Sequence, residues 1–335
     1  MAAGDPEATG VDIPIVSVVI PALNAEQYIA LCLASLTTQN FPATAFEVIV
    51  VDNGSTDATL SIASSFRSAL NIRFLEKKTG YVSEVRNYGA KYAQGCILAF
   101  LDSDCVAPPS WLSDATRLLR DSDAGIVGAH YRIPPHSSWS ALVWDRYLFA
   151  DKSGTITFVP AGNLLINRSV FEALGGFDET IQTNEDVELC RRVRRRGFSV
   201  HAYPQIAVVH FGTPQTLRAF YKKEKWHGLH VLRVFCRDFP ESGNGRVILY
   251  ALYILVCELF AMVGLSSALL TGQWWTFSVA LVGAMVPAIA LSMSSVYRAR
   301  RWEDFFCLFV LYLTYGLARA RCLLDPGSWM PRRLI

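Results

Sequence analysis

Ala99-Phe100-Leu101-Asp102-Ser103-Asp104 joins an apolar run, which begins at Cys96, to two acidic residues separated by one position. Such a continuous apolar run is typical of a buried parallel strand, which is expected to end where the acids begin. The acids then lie beyond the carboxyl end of the strand, where open α/β sheets bind ligands. Because close carboxylates repel each other, we expect a divalent cation such as Mg²⁺ or Mn²⁺ between them. A D-x-D sequence is also common in turns and helix caps, so its partners elsewhere in the chain must decide.

Strands alternate with helices around this stretch. The first half of the sequence predicts strands at 15–20, 46–51, 72–75 and 96–101, and helices at about 25–39, 58–69 and 83–94. We expect Pro21 to stop the first strand, and Ser55 or Thr56 to cap the helix at 58–69. This alternation indicates βαβ units, and therefore an α/β fold with a mostly parallel sheet.

Beyond residue 104 the pattern is less regular. The sequence predicts a strand at 125–129, an irregular segment at 130–156, helices at 170–174 and 187–196, and short strands at 198–202 and 206–210. The second of these helices is rich in arginine, which we interpret mostly as a solvated basic face.

Composition limits the function classes. A length of 335 residues suggests about two structural units, and a formal net charge of +2 gives no argument for nucleic-acid binding. The eight cysteines lack the spacing of a zinc site or a disulfide framework, which favours free thiols in a reducing compartment. Residues 1–14 are polar and predict a flexible leader without a signal peptide, so we expect the unit that follows to be cytoplasmic.

The last third of the chain predicts association with a membrane. Thr213 and Pro214 are interpreted as the cap and first residue of a helix that reaches about residue 237, and 213–240 as an interfacial segment. This helix is basic and amphipathic and carries Trp226, which suits the headgroup layer of a bilayer. A surface helix packed on the preceding domain is the alternative interpretation.

Residues 241–335 contain the apolar runs, consistent with the 52% hydrophobic content. We predict membrane spans at 247–270 and 274–293 and a third, short helix at about 303–323. The basic residues at 298–301 place that loop in the cytoplasm by the positive-inside rule, which predicts a multi-pass protein of the cytoplasmic membrane. Glu258 lies within the first span, so we expect it either to be neutral or to pair with Arg319 or Arg321.

Five motifs between about residues 15 and 212 resemble those of the inverting nucleotide-sugar glycosyltransferases of family 2, which implies a GT-A fold. They are Val19-Ile20-Pro21-Ala22-Leu23-Asn24-Ala25-Glu26, Val50-Val51-Asp52-Asn53-Gly54-Ser55-Thr56-Asp57, Arg86-Asn87-Tyr88-Gly89, Leu101-Asp102-Ser103-Asp104, and Glu185-Asp186 before Leu189-Cys190-Arg191-Arg192. The carboxyl-terminal part resembles that of membrane-associated bacterial exopolysaccharide and lipid-linked-sugar transferases.

The resemblance implies a donor and metal site. Asp52 would accept hydrogen bonds from a uracil-type base or the ribose, and Arg86 would lie over the base or near the phosphates. Asp104, supported by Asp102, would hold Mg²⁺ or Mn²⁺ against the diphosphate, and His210 is either a further metal ligand or a structural histidine. The remaining residues expected in the donor pocket are Pro21, Ala22, Glu26, Asn53 and Ser103.

The resemblance also implies a catalytic base. An inverting displacement needs a group that removes the proton of the acceptor hydroxyl, and Asp186 occupies the position of that base. The alternative is that Asp186 only caps the helix after it. The residues expected on the acceptor side are Gly162, Asn163, Glu185 and Trp226.

These inferences predict transfer of a sugar from a nucleoside-diphosphate sugar, favoured as UDP-type, to a membrane-held acceptor such as a lipid-linked saccharide. A polyprenyl-phosphate glycosyltransferase is the alternative with the same chemistry, and its ionised acceptor would not need a strong base. A metal-dependent nucleotidyltransferase is an alternative of another class, although Pro21-Ala22-Leu23-Asn24 lacks the basic residues of a typical phosphate loop. A non-catalytic membrane scaffold would not need these acids.

Overall fold

The computed structural model describes residues 14–148, 152–238 and 245–325, which form two compact units. The first unit comprises 14–131, 152–178 and 186–210, and the second comprises 132–148, 179–185 and the described residues from 211 onward. The sequence did not predict that 132–148 and 179–185 belong to the second unit. Most of the predicted leader lies outside the described residues.

The first unit is built on an eight-stranded sheet with the order β3-β2-β1-β4-β8-β6-β9-β7. Strands β8 and β7 run antiparallel to their neighbours and the other pairs are parallel, so the predicted mostly parallel α/β fold is confirmed. The strands are β1 (Val16–Ala22), β2 (Phe46–Asp52), β3 (Ile72–Glu76), β4 (Ile97–Leu101), β6 (Ala124–Gly128), β7 (Gly154–Thr155), β8 (Asn163–Asn167) and β9 (Ser199–Ala202). A separate ladder pairs β5 (Cys105–Val106) with β10 (Val209–His210).

Both faces of the sheet are covered, which explains why its central strands are continuous apolar runs. Val18 and Ile20 face one hydrophobic core, whereas Val19 faces the other, as the two-residue period of a strand requires. Helices α1 (Ile29–Thr37) and α4 (Trp111–Asp121) contribute to the first core. The second core receives residues from α3 (Val82–Lys91), α6 (Arg168–Ala173) and α7 (Glu185–Arg195).

Two local predictions in the first half of the chain are wrong. Pro21 does not stop β1, which continues to Ala22 with Pro21 in register with Val51 of β2. The pairing of β1 with β4 ends at Val19. Pro21 lies beyond it, so its missing N–H leaves no hydrogen bond between β1 and β4 unmade. Neither Ser55 nor Thr56 caps α2 (Thr59–Ser64), whose N-cap residue is Ala58.

Other boundaries differ further along the chain. The segment 130–156, predicted as irregular, contains β7 and the helix α5 (Trp139–Leu148). Helix α7 begins at Glu185 and not at 187, so both acids of the Glu185-Asp186 pair lie in its first turn. The predicted strand at 206–210 is shortened to β10, because a 3-10 helix occupies Pro204–Ile206.

The predicted single helix at 214–237 is two helices, α8 (Leu217–His227) and α9 (Val231–Asp238). Thr216, and not Thr213, is the N-cap residue of α8, since its Oγ1 accepts a hydrogen bond from the N–H of Ala219 at 3.1 Å. The break between the helices contains His230, whose φ of 64° is left-handed and ends the helical path.

Three helices among the described residues are long and apolar enough to cross a membrane: α10 (Gly245–Thr271), α11 (Trp275–Ala299), and α12 (Phe305–Leu323) with the 3-10 turn before it. The mean hydropathy of the third, 1.4, is below the 2.3 and 2.0 of the others, in agreement with its shorter apolar run. The predicted pairing of Glu258 is confirmed for Arg321, whose Nη1 donates to the Glu258 carboxylate. Arg319 instead pairs with Glu224 at 2.7 Å.

Candidate active site

The loops that follow β1 and β2 are joined by hydrogen bonds at the carboxyl edge of the sheet. Asn24, with a left-handed φ of 48°, donates its N–H to Ser55 Oγ at 3.0 Å and accepts from the N–H of Thr56 at 2.9 Å. The carboxylate of Glu26 accepts from the N–H of Ala58 at 3.0 Å. Glu26, which was expected to line the donor pocket, therefore holds the two loops together.

Asp52 and Asn53 end β2 at this edge. Asp52 is only 2% exposed, and its Oδ2 accepts the N–H groups of Gly54 and Ser55 at 3.0 and 3.1 Å, which shapes the turn. The prediction that it binds a base stays a prediction. Asn53 Oδ1 is buried and has no hydrogen-bond partner among the described residues. An unsatisfied buried acceptor costs about 1–3 kcal/mol, so a ligand N–H here would remove a real penalty.

Asp102 follows β4 and is compensated by neighbouring side chains. The buried Arg86 donates to its Oδ1 at 2.6 Å, and the hydroxyl of Tyr131 donates to its Oδ2 at 3.1 Å. Burial alone would raise the pKa of Asp102, but the Arg86 guanidinium and these hydrogen bonds hold that pKa below its usual value. Asp102 is therefore an anion whose two oxygens are both engaged. Ser103, next to it, is half-buried.

Asp104 belongs to a different cluster. The β5–β10 register places His210 opposite Cys105, and His210 Nε2 lies 3.5 Å from Asp104 Oδ2. The ligand atoms of Asp104, Cys105 and His210 lie within 4.8 Å of one another, so these residues could hold a metal ion. Burial and the acids at 102 and 104 raise the pKa of the Cys105 thiol, so it is protonated at neutral pH.

This cluster tests the predicted metal site. A carboxylate oxygen and an imidazole nitrogen form a donor set that suits Mn²⁺, so Asp104 and His210 fit the expected cation. The oxygens of Asp102 are directed to Arg86 and Tyr131. These contacts favour Asp104 and His210 as the ligands, and the expectation that a cation lies between Asp102 and Asp104 stays a prediction.

The motif Arg86-Asn87-Tyr88-Gly89 is explained by its position on α3. Asn87 exchanges two hydrogen bonds of 2.9 Å with the backbone of Phe177. A Cβ at Gly89 would lie 2.5 Å from Val19 Cγ1, so only glycine lets α3 approach the sheet this closely. The motif thereby sets the depth of Arg86 beside Asp102.

Gly162 and Asn163, both predicted on the acceptor side, have different surroundings, and the role of Gly162 stays a prediction. A Cβ on Gly162 would lie 2.1 Å from Asp102 Oδ2 and 2.4 Å from the Tyr131 hydroxyl, so the backbone of Gly162 abuts the centre of the site. Asn163 is completely buried: its Oδ1 accepts from Trp111 Nε1 at 2.9 Å, and its Nδ2 donates to backbone carbonyls. The prediction that Asn163 faces an acceptor is therefore wrong, and its role is structural.

Asp186, in the first turn of α7, lies against the same loop. Its Oδ2 accepts the N–H of Ala161 at 3.3 Å, and its Oδ1 accepts the N–H of Val187 at 2.8 Å. The second bond stays within the first turn of α7, whereas the first brings the carboxylate beside the loop that contacts Asp102. Burial raises the pKa of the Tyr131 hydroxyl. The negative charge of Asp102 raises it further, and that of Asp186 contributes less.

Sequence analysis missed Tyr131. Its hydroxyl binds Asp102, and its ring stacks on His210 at 4.5 Å, which makes it the contact between the two acidic clusters. One feature of the sequence could have identified Tyr131 as a site residue: it lies three residues after β6, at the carboxyl end of a parallel strand. Glu185 and Trp226, predicted on the acceptor side, belong to the second unit, where Glu185 is buried and Trp226 is 40% exposed.

Comparison with known families decides the classification. The model of "Glycosyl transferase family 2" matches residues 17–175, and that of "Glycosyl transferase family group 2" matches residues 97–319, more than half of the chain. The chain is a family 2 glycosyltransferase. The predicted family is thereby confirmed, and the nucleotidyltransferase alternative is overturned.

Several relatives of this glycosyltransferase are known. Glycosyltransferase AglE of Haloferax volcanii is 30% identical over 252 residues, which cover 73% of this chain and 81% of AglE. The probable glycosyltransferase YdaM of Bacillus subtilis is 24% identical over 92% of this chain and 80% of its own length. TarS of Staphylococcus aureus, a poly(ribitol-phosphate) β-N-acetylglucosaminyltransferase, is 39% identical over 113 residues, but these are only 33% of this chain and 20% of TarS.

Solved structures share the fold of the glycosyltransferase. The mannosyltransferase PcManGT of Pyrobaculum calidifontis, in complex with GDP-Man and Mn²⁺, has a TM-score of 0.60 and 19% identity over 92% of this chain and 87% of its own. TarS residues 1–349 with UDP-GlcNAc have a TM-score of 0.50 and 18% identity over 91% and 90%. At these identities the likeness supports the GT-A fold alone.

Gly162→Ala tests the close approach at the centre of this glycosyltransferase. Because the added methyl would overlap Asp102 Oδ2, we expect Asp102 to move and kcat to fall by about 10- to 10²-fold, the scale of a 1 Å displacement in an active site. Gly197→Ala is a matched glycine control, since its Cβ would meet no atom within 4 Å, although its positive φ adds mild strain. Equal kcat values for Gly162→Ala and the parent would contradict this close approach.

Proposed function

We propose that this glycosyltransferase moves a sugar, with inversion, from a nucleoside-diphosphate sugar of UDP type to a membrane-held acceptor, most simply a lipid-linked saccharide. One observation carries the proposal: Asp186 accepts the N–H of Ala161 and Asp102 lies against the adjacent Gly162, within the unit that also contains the Asp104–His210 pair. This arrangement would offer both a base and a cation site at the carboxyl edge of one sheet.

The donor would occupy the carboxyl ends of β1, β2 and β4. Asn53 Oδ1 is a buried acceptor that a base N–H would satisfy, and Pro21 and Ala22 form the adjacent wall. Solved relatives with UDP-GlcNAc and with GDP-Man support a nucleotide sugar as the donor class. Asp102, held by Arg86, would orient the sugar or ribose without competing for the cation.

In the displacement, the acceptor oxygen forms a bond to the anomeric carbon while the bond to the diphosphate oxygen breaks. Asp186 takes the hydroxyl proton through the carboxylate that faces Ala161, so charge does not build up on the attacking oxygen. Mg²⁺ or Mn²⁺, held by Asp104 and His210, would neutralise the negative charge that develops on the leaving nucleoside diphosphate. The solved relative with Mn²⁺ supports this cofactor class.

The three long apolar helices support a membrane location for the acceptor. We propose that α10 and α11 cross the cytoplasmic membrane and that the catalytic unit faces the cytoplasm, because Arg298, Arg300 and Arg301 cluster at the carboxyl end of α11. The polyprenyl-phosphate alternative stays open, because an ionised phosphate acceptor would use the same donor site.

The test is transfer by the full-length protein in lipid nanodiscs. UDP- and GDP-sugars would be offered with Mn²⁺ and either a lipid-linked saccharide or a polyprenyl phosphate, and the anomeric configuration of the product read by NMR. We expect an inverted product on the saccharide acceptor. Product on the polyprenyl phosphate alone would favour the alternative, and a retained configuration would overturn the mechanism.

A further inference from the structure

The turn between α8 and α9, residues 227–230 and called the anchor turn below, holds a strained residue. His230 adopts a φ of 64°, a left-handed conformation that is sterically unfavourable for a non-glycine residue. It is nevertheless only 3% exposed. Such strain persists where the surrounding contacts over-determine the backbone, and it concentrates at functional positions.

The contacts come from the segment 182–184. Three consecutive residues of this segment each donate one hydrogen bond to the anchor turn, and the central one, Thr183, is 1% exposed. The bonds run from the N–H of Gln182 to His230 Nδ1 at 2.9 Å, from Thr183 Oγ1 to the carbonyl of Leu229 at 2.8 Å, and from Asn184 Nδ2 to the carbonyl of His227 at 3.2 Å.

The anchored segment leads directly into α7. Asn184 has a left-handed φ of 65°, and Glu185 and Asp186 are the first two helical residues after it. Asp186 is only two peptide units from Asn184, and the helical conformation that begins at Glu185 fixes the backbone between them. A displacement of the segment 182–184 is therefore transmitted to Asp186.

We propose that the anchor turn positions the base Asp186, with His230 and Thr183 as the positioning residues. The proposal rests on the proposed function, since it assumes that Asp186 is the base. It assigns the break between α8 and α9 to catalysis: a continuous helix would carry no carbonyl groups or imidazole directed at the segment 182–184.

The chemistry of the contact provides matched variants. His230 accepts at Nδ1, and asparagine offers Oδ1 as an acceptor while tolerating a left-handed φ, so His230→Asn preserves both features. His230→Leu removes the acceptor and adds strain. Thr183→Val removes the donor hydroxyl with little change of shape, whereas Thr183→Ser keeps it.

The experiment measures kcat, the donor dissociation constant and amide hydrogen exchange of residues 182–187 on the full-length protein. We expect His230→Leu and Thr183→Val each to lower kcat about tenfold or more, with unchanged donor affinity and faster exchange of the segment. His230→Asn and Thr183→Ser should restore both readouts. If His230→Leu does not fold, the two Thr183 variants carry the test alone.

Two outcomes would overturn the positioning role: faster exchange with unchanged kcat, or an equal loss of kcat in the conservative and disruptive variants. Asp186→Asn is measured in parallel. If that variant turns over normally, the proposed base fails and the positioning role fails with it. An inactive Asp186→Asn with a fully active His230→Leu overturns the positioning role alone.

Discussion

Asp186→Asn is expected to lower kcat by about 10²- to 10⁴-fold, the range of a lost general base, with little change in the donor dissociation constant. The amide is nearly isosteric with the carboxylate, and its single Oδ1 can still accept one of the two N–H groups, that of Ala161 or that of Val187. What it lacks is the capacity to take the acceptor proton. Steady-state kinetics and calorimetric titration of the donor nucleotide separate the two quantities.

Glu172→Gln is the matched control for this variant. Glu172 is an exposed acid on α6 of the same unit, and its ion pair with Arg168 is of the surface type that contributes at most about 1 kcal/mol. We expect its kinetics to equal those of the parent. If Asp186→Asn weakens donor binding as much as it lowers kcat, Asp186 serves as a helix cap and not as the base.

Asp104→Ala is expected to abolish Mn²⁺ binding and to lower kcat/KM by about 10³-fold, since a catalytic cation supplies several kcal/mol and each tenfold change is about 1.4 kcal/mol. The variant removes the carboxylate 3.5 Å from His210 Nε2, which leaves an imidazole and a protonated thiol in the cluster. Electron paramagnetic resonance of Mn²⁺ measures the affinity independently of turnover.

His210→Ala should weaken Mn²⁺ binding as well, because it removes the second donor atom of the cluster. Asp121→Ala, an exposed acid at the end of α4, is the control and should change neither the affinity nor the rate. Full activity of Asp104→Ala, or of the parent in excess EDTA, would contradict the metal role.

The sheet was predictable where its strands are buried on both faces. Strand β4 is a continuous apolar run, β2 is apolar except for Glu47 and its last residue Asp52, and every residue of both is buried, so both strands could be recognised in the sequence. Strand β8 was not assigned, and its antiparallel insertion between β4 and β6 was not foreseen. Strand direction and neighbours depend on pairing between distant segments, which no local pattern records.

In the apolar carboxyl-terminal part, too, some features could be predicted from the sequence and others could not. Composition and length were sufficient for the two long apolar spans and for a third, shorter helix, whereas the choice for Glu258 between a neutral state and a pair with Arg319 or Arg321 needed the structure. The break at 228–230 was missed, because apolar residues recur at helical spacing across 214–237. The interruption is associated with contacts from 182–184, a segment more than forty residues earlier.

The sequence by itself determined the family, the α/β class and the position of the two acids at the end of β4, because these follow from local runs and spacing. Tertiary structure alone decided which side chain each acid meets. Asp102 meets Arg86 of α3, and Asp104 meets His210 of β10, since the sheet brings these separate elements to one edge. A charge takes its partner from whatever the fold places within about 4 Å, and sequence separation does not report that distance.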